Sequence, residues 1–235
     1  MNELMKVEGL SKRFYHRPVL DDVGFTVLAG EVLGLIGPNG AGKTTLLECL
    51  ASLLPADAGL LKYRGEYLSS ARRKDALFYL PDAITPWPEQ SVRWILRFFE
   101  EVYSRSATRI SDLLEPLRLT ELLNSRIGTL SKGERKRTLL AVSLLTSQPL
   151  LLLDEPFDGL DLRQTRDVMK LLRAHASSGR TLLLSIHQLV DAGRVCDRLV
   201  LLSAGRVVGQ GSISDLQKKV NLPEAGVEEI FLALT

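Results

Sequence analysis

The amino-acid sequence predicts an α/β fold: a mainly parallel core sheet covered by helices, an N-terminal antiparallel sheet, and a helical lobe inserted between two halves of the core. Three observations carry this. Short runs that are apolar on both faces recur at Val32–Ile36, Leu77–Leu80, 150–153, Thr181–Ile186 and 199–203, and strands buried on both faces belong to parallel sheets. Segments 5–10 and 25–28 alternate apolar and polar residues, as half-exposed antiparallel strands do. From Ser91 to Gln148 the pattern turns helical.

Taken in order, the run Val32–Ile36 stops at Gly37, a glycine-rich turn follows, and 44–54 reads as a helix. The strand Leu77–Leu80 leads into a proline-rich stretch, Pro81 to Pro88, which opens the helical region. Pro116 and a turn at 127–131 divide that region. The 235 residues are read as one domain, 1–235, with a core lobe at 1–82 and 149–235 and a helical lobe at 83–148. There are no internal repeats and no low-complexity tail.

The bulk composition excludes several classes. Hydrophobic residues make up 45% and charged residues 25% of the chain, as in ordinary globular proteins. A net charge of +2 gives no argument for nucleic acid as a partner. Cys49 and Cys196 form neither a disulfide framework nor a zinc pattern, which points to a reducing cytosol. Residues 1–15 mix charged and apolar types and lack the apolar centre of a signal peptide. No stretch approaches the ~18 consecutive apolar residues of a membrane helix, so any membrane role requires a separate membrane-spanning partner.

Two motifs carry chemistry. Gly37, Pro38, Asn39, Gly40, Ala41, Gly42, Lys43 and Thr44 match G-x-x-x-x-G-K-[ST] at every fixed position. Such glycines let the backbone aim its N–H groups at phosphate oxygens, and the helix that follows presents its positive end to the same anion. Lys43 supplies a charge for the β- and γ-phosphates, and Thr44 a hydroxyl for Mg²⁺. The second motif is the aliphatic run 150–153 followed by Asp154 and Glu155. Ligands bind at the carboxyl ends of strands in open α/β sheets. One carboxylate there can hold Mg²⁺, and the next can polarise an attacking water.

With these motifs the chain resembles the nucleotide-binding domain of ABC transporters over essentially its whole length. The Walker A segment runs from Gly37 to Thr45 and Walker B over 150–154. Between them, Leu130, Ser131, Lys132, Gly133, Glu134 and Arg135 resemble the family signature LSGGQ-R, which separates these proteins from other phosphate-loop ATPases. Residues 157–161, ending at Asp161, are similar to the D-loop, and His187 matches the switch histidine. Phe14 lies where the family stacks an aromatic ring on adenine; Tyr15 could serve instead, and either could be core. His16 and His175 match nothing and are read as surface residues.

The resemblance implies an ATPase using ATP and Mg²⁺. Ser131, Lys132, Gly133 and Glu134 would face the γ-phosphate held by a second copy, so that two subunits sandwich ATP and work with integral membrane permease subunits. By residue pattern alone, Ser131 and Glu134 are equally a helix capping box. The sequence departs from the family at three places. Asp82 stands where a glutamine normally touches Mg²⁺ and the membrane partner; aspartate is shorter and charged, which leaves a water-mediated metal contact. Lys132 replaces a glycine and is expected to point into solvent. Glu134 replaces a glutamine.

The reading is therefore an ATP-driven motor at the inner face of a membrane, with export favoured. The end of the chain, 226–235, resembles the closing helix of ATPase subunits of ABC-2-type exporters, a short match that an amphipathic terminal helix would share. An importer ATPase, or a non-transport ATPase acting on ribosomes or nucleic acid, is the alternative. Trp87 and Trp94 belong either to a docking surface over 81–94 or to the core of the helical lobe.

Overall fold

The computed structural model describes residues 2–235 except 83 and 105. Two sheets organise it. β1 (Glu3–Phe14) and β2 (Arg17–Leu28) form an antiparallel hairpin, and β4 (Ala58–Tyr63) and β5 (Glu66–Tyr67) extend it in the order β2-β1-β4-β5. The alternation noted at 5–10 and 25–28 continues well beyond those bounds, because the left-handed Tyr15, at φ 55°, turns the chain directly back on itself. The second sheet combines β3 (Val32–Ile36), β6 (Leu77–Leu80), β7 (Leu150–Asp154), β8 (Thr181–Ile186), β9 (Arg198–Ser203) and β10 (Arg206–Gly211). Its order is β10-β9-β3-β8-β7-β6, parallel throughout except for the β9–β10 hairpin at one edge.

The period of two decides which way each apolar residue faces. Leu33, Leu35, Leu150, Leu152 and Leu183 join Met5, Val7, Phe25 and α1 (Lys43–Leu50) in a core between the two sheets. Ile36, Leu151, Leu153, Leu182 and Leu184 point the other way, into a core shared with the helices. That second core takes in α3 (Val92–Val102), α4 (Ile110–Leu114) and α5 (Lys132–Leu145), all lying in sequence between β6 and β7. α6 (Leu162–Ser177) and α7 (Leu189–Val195) complete it with α8 (Ile213–Val220) and α9 (Val227–Leu234). The short helix α2 (Arg73–Ala76) precedes β6.

Two local expectations change, and one open alternative is decided. The helix expected over 44–54 ends at Leu50, because Ser52 turns left-handed at φ 61° and the Leu53 and Leu54 N–H groups fold back onto the Glu48 carbonyl. Trp87 and Trp94 are not core: they are 48% and 41% exposed, and the Trp94 ring stacks on Phe98 at 5.3 Å. His175, expected at the surface, is half-buried in the last turn of α6, where burial lowers its pKa. Among the described residues no helix is long and apolar enough to cross a membrane.

Leu152 is fully buried in the inter-sheet core. Leu152→Ala should cost ~2–5 kcal/mol of unfolding free energy, measured by chemical denaturation.

Candidate functional site

The site begins where β3 ends. The chain leaves Ile36, curls through 37–42, and enters α1 at Lys43. Gly42 has φ 104°, and a Cβ there would sit 2.9 Å from the Val19 carbonyl oxygen, so only glycine fits. The curl is closed by Ala41 N–H donating to the Pro38 carbonyl at 3.1 Å. No side chain caps α1, which leaves its first N–H groups free for an anion. The Lys43 ammonium, nearly buried, donates to the Gly37 carbonyl at 2.7 Å and lies 3.9 Å from the Glu155 carboxylate.

The neighbouring strand ends bring the acids. Asp154 is only 2% exposed, so its carboxylate must be hydrogen-bonded. It accepts from the Thr44 hydroxyl at 2.9 Å, the Tyr79 hydroxyl at 3.4 Å and the Ser185 hydroxyl. Burial first, and the Asp154 charge second, push the Tyr79 hydroxyl well above its ordinary pKa, so it stays a donor. Glu155 turns left-handed at φ 48°, and its N–H donates to the Ser185 oxygen at 3.0 Å. One carboxylate oxygen of Glu155 meets the His187 Nδ1, 2.5 Å distant, while the other faces the Lys43 ammonium.

Lys43, Thr44, Asp154 and Glu155 meet in one open cleft of about 320 Å³, with Tyr79, Ser185 and His187 outside its lining. Its walls include Pro38, Asn39, Gly40, Gly42, Lys43, Thr44, Thr45, Asp82, Asp154 and Glu155, together with Val19 from β2. Sequence reading missed Val19, Tyr79 and Ser185. Only Ser185 had an available signal, two positions before His187 on a strand beside β7. Gly37 and Ala41 shape the loop from behind. Phe14, 43% exposed at the hairpin end, does not line the cleft, and Tyr15 is wholly exposed.

The signature residues Ser131, Lys132, Gly133 and Glu134 do not line the cleft of their own chain. They start α5 with the capping box that the residue pattern allowed: Glu134 N–H donates to the Ser131 hydroxyl at 3.3 Å, and Ser131 N–H to the Glu134 carboxylate at 2.9 Å. Hydrogen bonding from the Ser131 side chain first, and from its backbone N–H second, holds the Glu134 pKa below its usual value. Asp161 likewise caps α6, accepting from Gln164 N–H at 2.8 Å. Lys132 is exposed, as expected, and at the surface it pairs with Asp158 at 2.5 Å. Asp82 reaches the cleft, but its carboxylate is held by Lys136 at 2.6 Å rather than by the Thr44–Asp154 cluster.

Among the described residues no group of three or more His, Cys, Asp or Glu is placed to hold a metal ion unaided. The Thr44 hydroxyl beside the Asp154 carboxylate is nevertheless a pair of hard oxygen donors. That suits Mg²⁺, which takes one or two protein oxygens and completes its shell with phosphates and water.

A protein-family model described as ABC transporter matches residues 20–158, which span the phosphate loop, the signature segment and both acids. The chain belongs to the ABC transporter family. An uncharacterized ABC transporter ATP-binding protein of Methanocaldococcus jannaschii is 34% identical over 224 residues, covering 94% of this chain and 82% of that one. A Nod factor export ATP-binding protein I of Ralstonia nicotianae is 35% identical over 219 residues, covering 91% and 68%. The solved structure of an ATP binding subunit of an ABC transporter superposes with a TM-score of 0.89 at 30% identity, covering 98% and 99% of the two chains. A bacterial Atm1-family ABC exporter with ATP bound shares the fold at TM-score 0.83, with 23% identity and 42% of its chain covered. This ABC chain is thus an ATP-binding subunit and an ATPase.

Ser185 is fully buried and serves both acids. Ser185→Ala in this ABC subunit should lower stability by ~1–3 kcal/mol through the unpaired partners it leaves. Its ATPase kcat should fall more than its affinity for ATP, as steady-state kinetics and nucleotide titration would show.

Proposed function

We propose that this chain is the ATP-hydrolysing motor subunit of an ABC membrane exporter. Two copies sandwich ATP and drive separate integral membrane permease subunits from the cytoplasmic face. The observation that carries the reading is the Glu155 carboxylate, directed by a left-handed backbone onto His187 beside the phosphate loop. Glu155 is placed to accept a proton from an attacking water, and His187 to orient that carboxylate and meet the γ-phosphate. Gly37, Pro38, Asn39, Gly40, Ala41, Gly42, Lys43, Thr44 and Thr45 would cradle the phosphates. Thr44 and Asp154 would hold Mg²⁺, which supplies neutralisation of charge on the phosphate oxygens.

Ser131, Lys132, Gly133 and Glu134, on a helix start outside the chain's own cleft, are read as the part a second subunit offers to ATP, with Asp161 beside that contact. Export is favoured by relatives named for Nod factor export at 35% identity. The half-exposed cluster of Trp87, Trp94 and Phe98 on the helical lobe is read as permease-facing, since aromatic rings supply large contact areas at interfaces.

Two outcomes test this. Glu155→Gln should retain ATP binding, lose turnover by ~100-fold or more, and accumulate a dimer on ATP addition, followed by phosphate release and size-exclusion chromatography. Undiminished steady-state hydrolysis would refute the assignment. Trp87→Ala should fold normally yet weaken co-purification with the membrane subunit and lower coupled transport. Unchanged assembly and transport would remove the docking role.

A further inference from the structure

Asp82 belongs to two neighbourhoods at once. It lines the cleft that holds Lys43, Thr44, Asp154 and Glu155. It also lines an adjacent cavity with Lys132, Arg135 and Lys136 from the first turns of α5. Its carboxylate is one-third exposed and is held by a single cation, the Lys136 ammonium at 2.6 Å. Lys136 is only 6% exposed, and Asp82 is its one carboxylate partner among the described residues. A nearly buried ammonium draws strongly on the acid that neutralises it. The same acid faces the position where Thr44 and Asp154 gather hard oxygen donors.

We infer that Lys136 and the nucleotide-bound divalent cation compete for Asp82, so that Lys136 is a positioning residue setting how strongly the site takes up its metal. With the carboxylate on Lys136, the start of α5 is tied to the end of β6. With the carboxylate turned toward the metal side, that tie is released, and Lys136 is left to the water of a cavity lined by two further cations. A second tie persists through the exchange. Lys132 stays on Asp158 at 2.5 Å, its stem against Gly159, so α5 pivots about its first turn rather than detaching. The inference rests on the reading of the cleft as a metal–nucleotide site and adds a residue that lies outside it.

The test uses Mn²⁺ as the probe. Its binding to the full chain, with one equivalent of a non-hydrolysable ATP analogue, is followed by loss of the free-ion EPR signal. Lys136→Met should tighten Mn²⁺ binding about two- to fivefold, the effect of freeing one partly exposed charge pair. Adding Asp82→Asn should abolish that gain. Unchanged Mn²⁺ affinity in a Lys136→Met protein with a normal melting transition overturns the competition, as does a gain that survives Asp82→Asn. The wild-type chain provides a measurement that needs no variant. Acylation of Lys136 by a small amine reagent, mapped by mass spectrometry, should rise several-fold when Mg²⁺ joins the bound analogue; a level or falling yield overturns the inference. Failure of the wild-type chain to bind Mn²⁺ with the analogue would remove the metal–nucleotide reading itself, and the inference with it.

Discussion

A single buried carboxylate organises the catalytic end of this molecule. Asp154 sits at the end of β7, shielded from water, and an ionised group there is tolerated only when its oxygens are matched by donors. The donors come from three different elements: Thr44 at the start of α1, Ser185 on β8 and Tyr79 on β6. β8 and β6 flank β7 directly, and α1 starts from the end of β3, one strand beyond β8. The same bonds that stabilise the buried charge therefore fix the start of α1, the end of β7 and β8 relative to one another. Ser185 extends the arrangement by one residue, since its oxygen also takes the Glu155 N–H and so holds the left-handed turn that sends Glu155 toward His187.

The parts legible in the sequence are those whose chemistry is local. The phosphate loop announces itself because glycine spacing, the lysine and the hydroxyl must be consecutive for the backbone to wrap an anion. Asp154 and Glu155 are visible as carboxylates ending an aliphatic strand. Ser185 and Tyr79 are not, because their roles depend on which strands become neighbours. Ser185 stands opposite Asp154 only through the parallel register of β7 with β8, thirty-odd residues apart in sequence. Likewise β4, β5 and β10 carry weak patterns: β5 has two residues, and β10 is an edge strand exposing much of its length. The tryptophans were ambiguous for a related reason, since apolar composition does not tell a core ring from a ring held at the surface by its aromatic neighbours.

The fate of Asp82 shows how a departure from a family pattern becomes intelligible only in three dimensions. A shorter, charged residue in place of glutamine would put a negative charge against a cleft that already holds two acids, Asp154 and Glu155. Like charges so close would repel. In the fold the charge is offset by Lys136, a nearly buried ammonium that lies fifty-four residues away on α5. The two residues explain each other, and neither is informative alone.

The signature segment shows the same compensation at shorter range. Relative to the LSGGQ pattern, Lys132 adds a positive charge and Glu134 a negative one, so the start of α5 keeps its net charge while its internal bonding changes. Glu134 closes a capping box with Ser131: its carboxylate accepts from the Ser131 N–H, and its own N–H donates to the Ser131 hydroxyl oxygen. Hydrogen bonds from Ser131 hold that carboxylate below its usual pKa, so it carries its charge at the helix start. Lys132, drawn aside to Asp158, does not cancel that charge at the helix start. Of the positive features there, the helix dipole and the N–H groups of the first turn beyond Ser131 remain. The Ser131–Glu134 box therefore sets both the bonding and the charge at the start of α5.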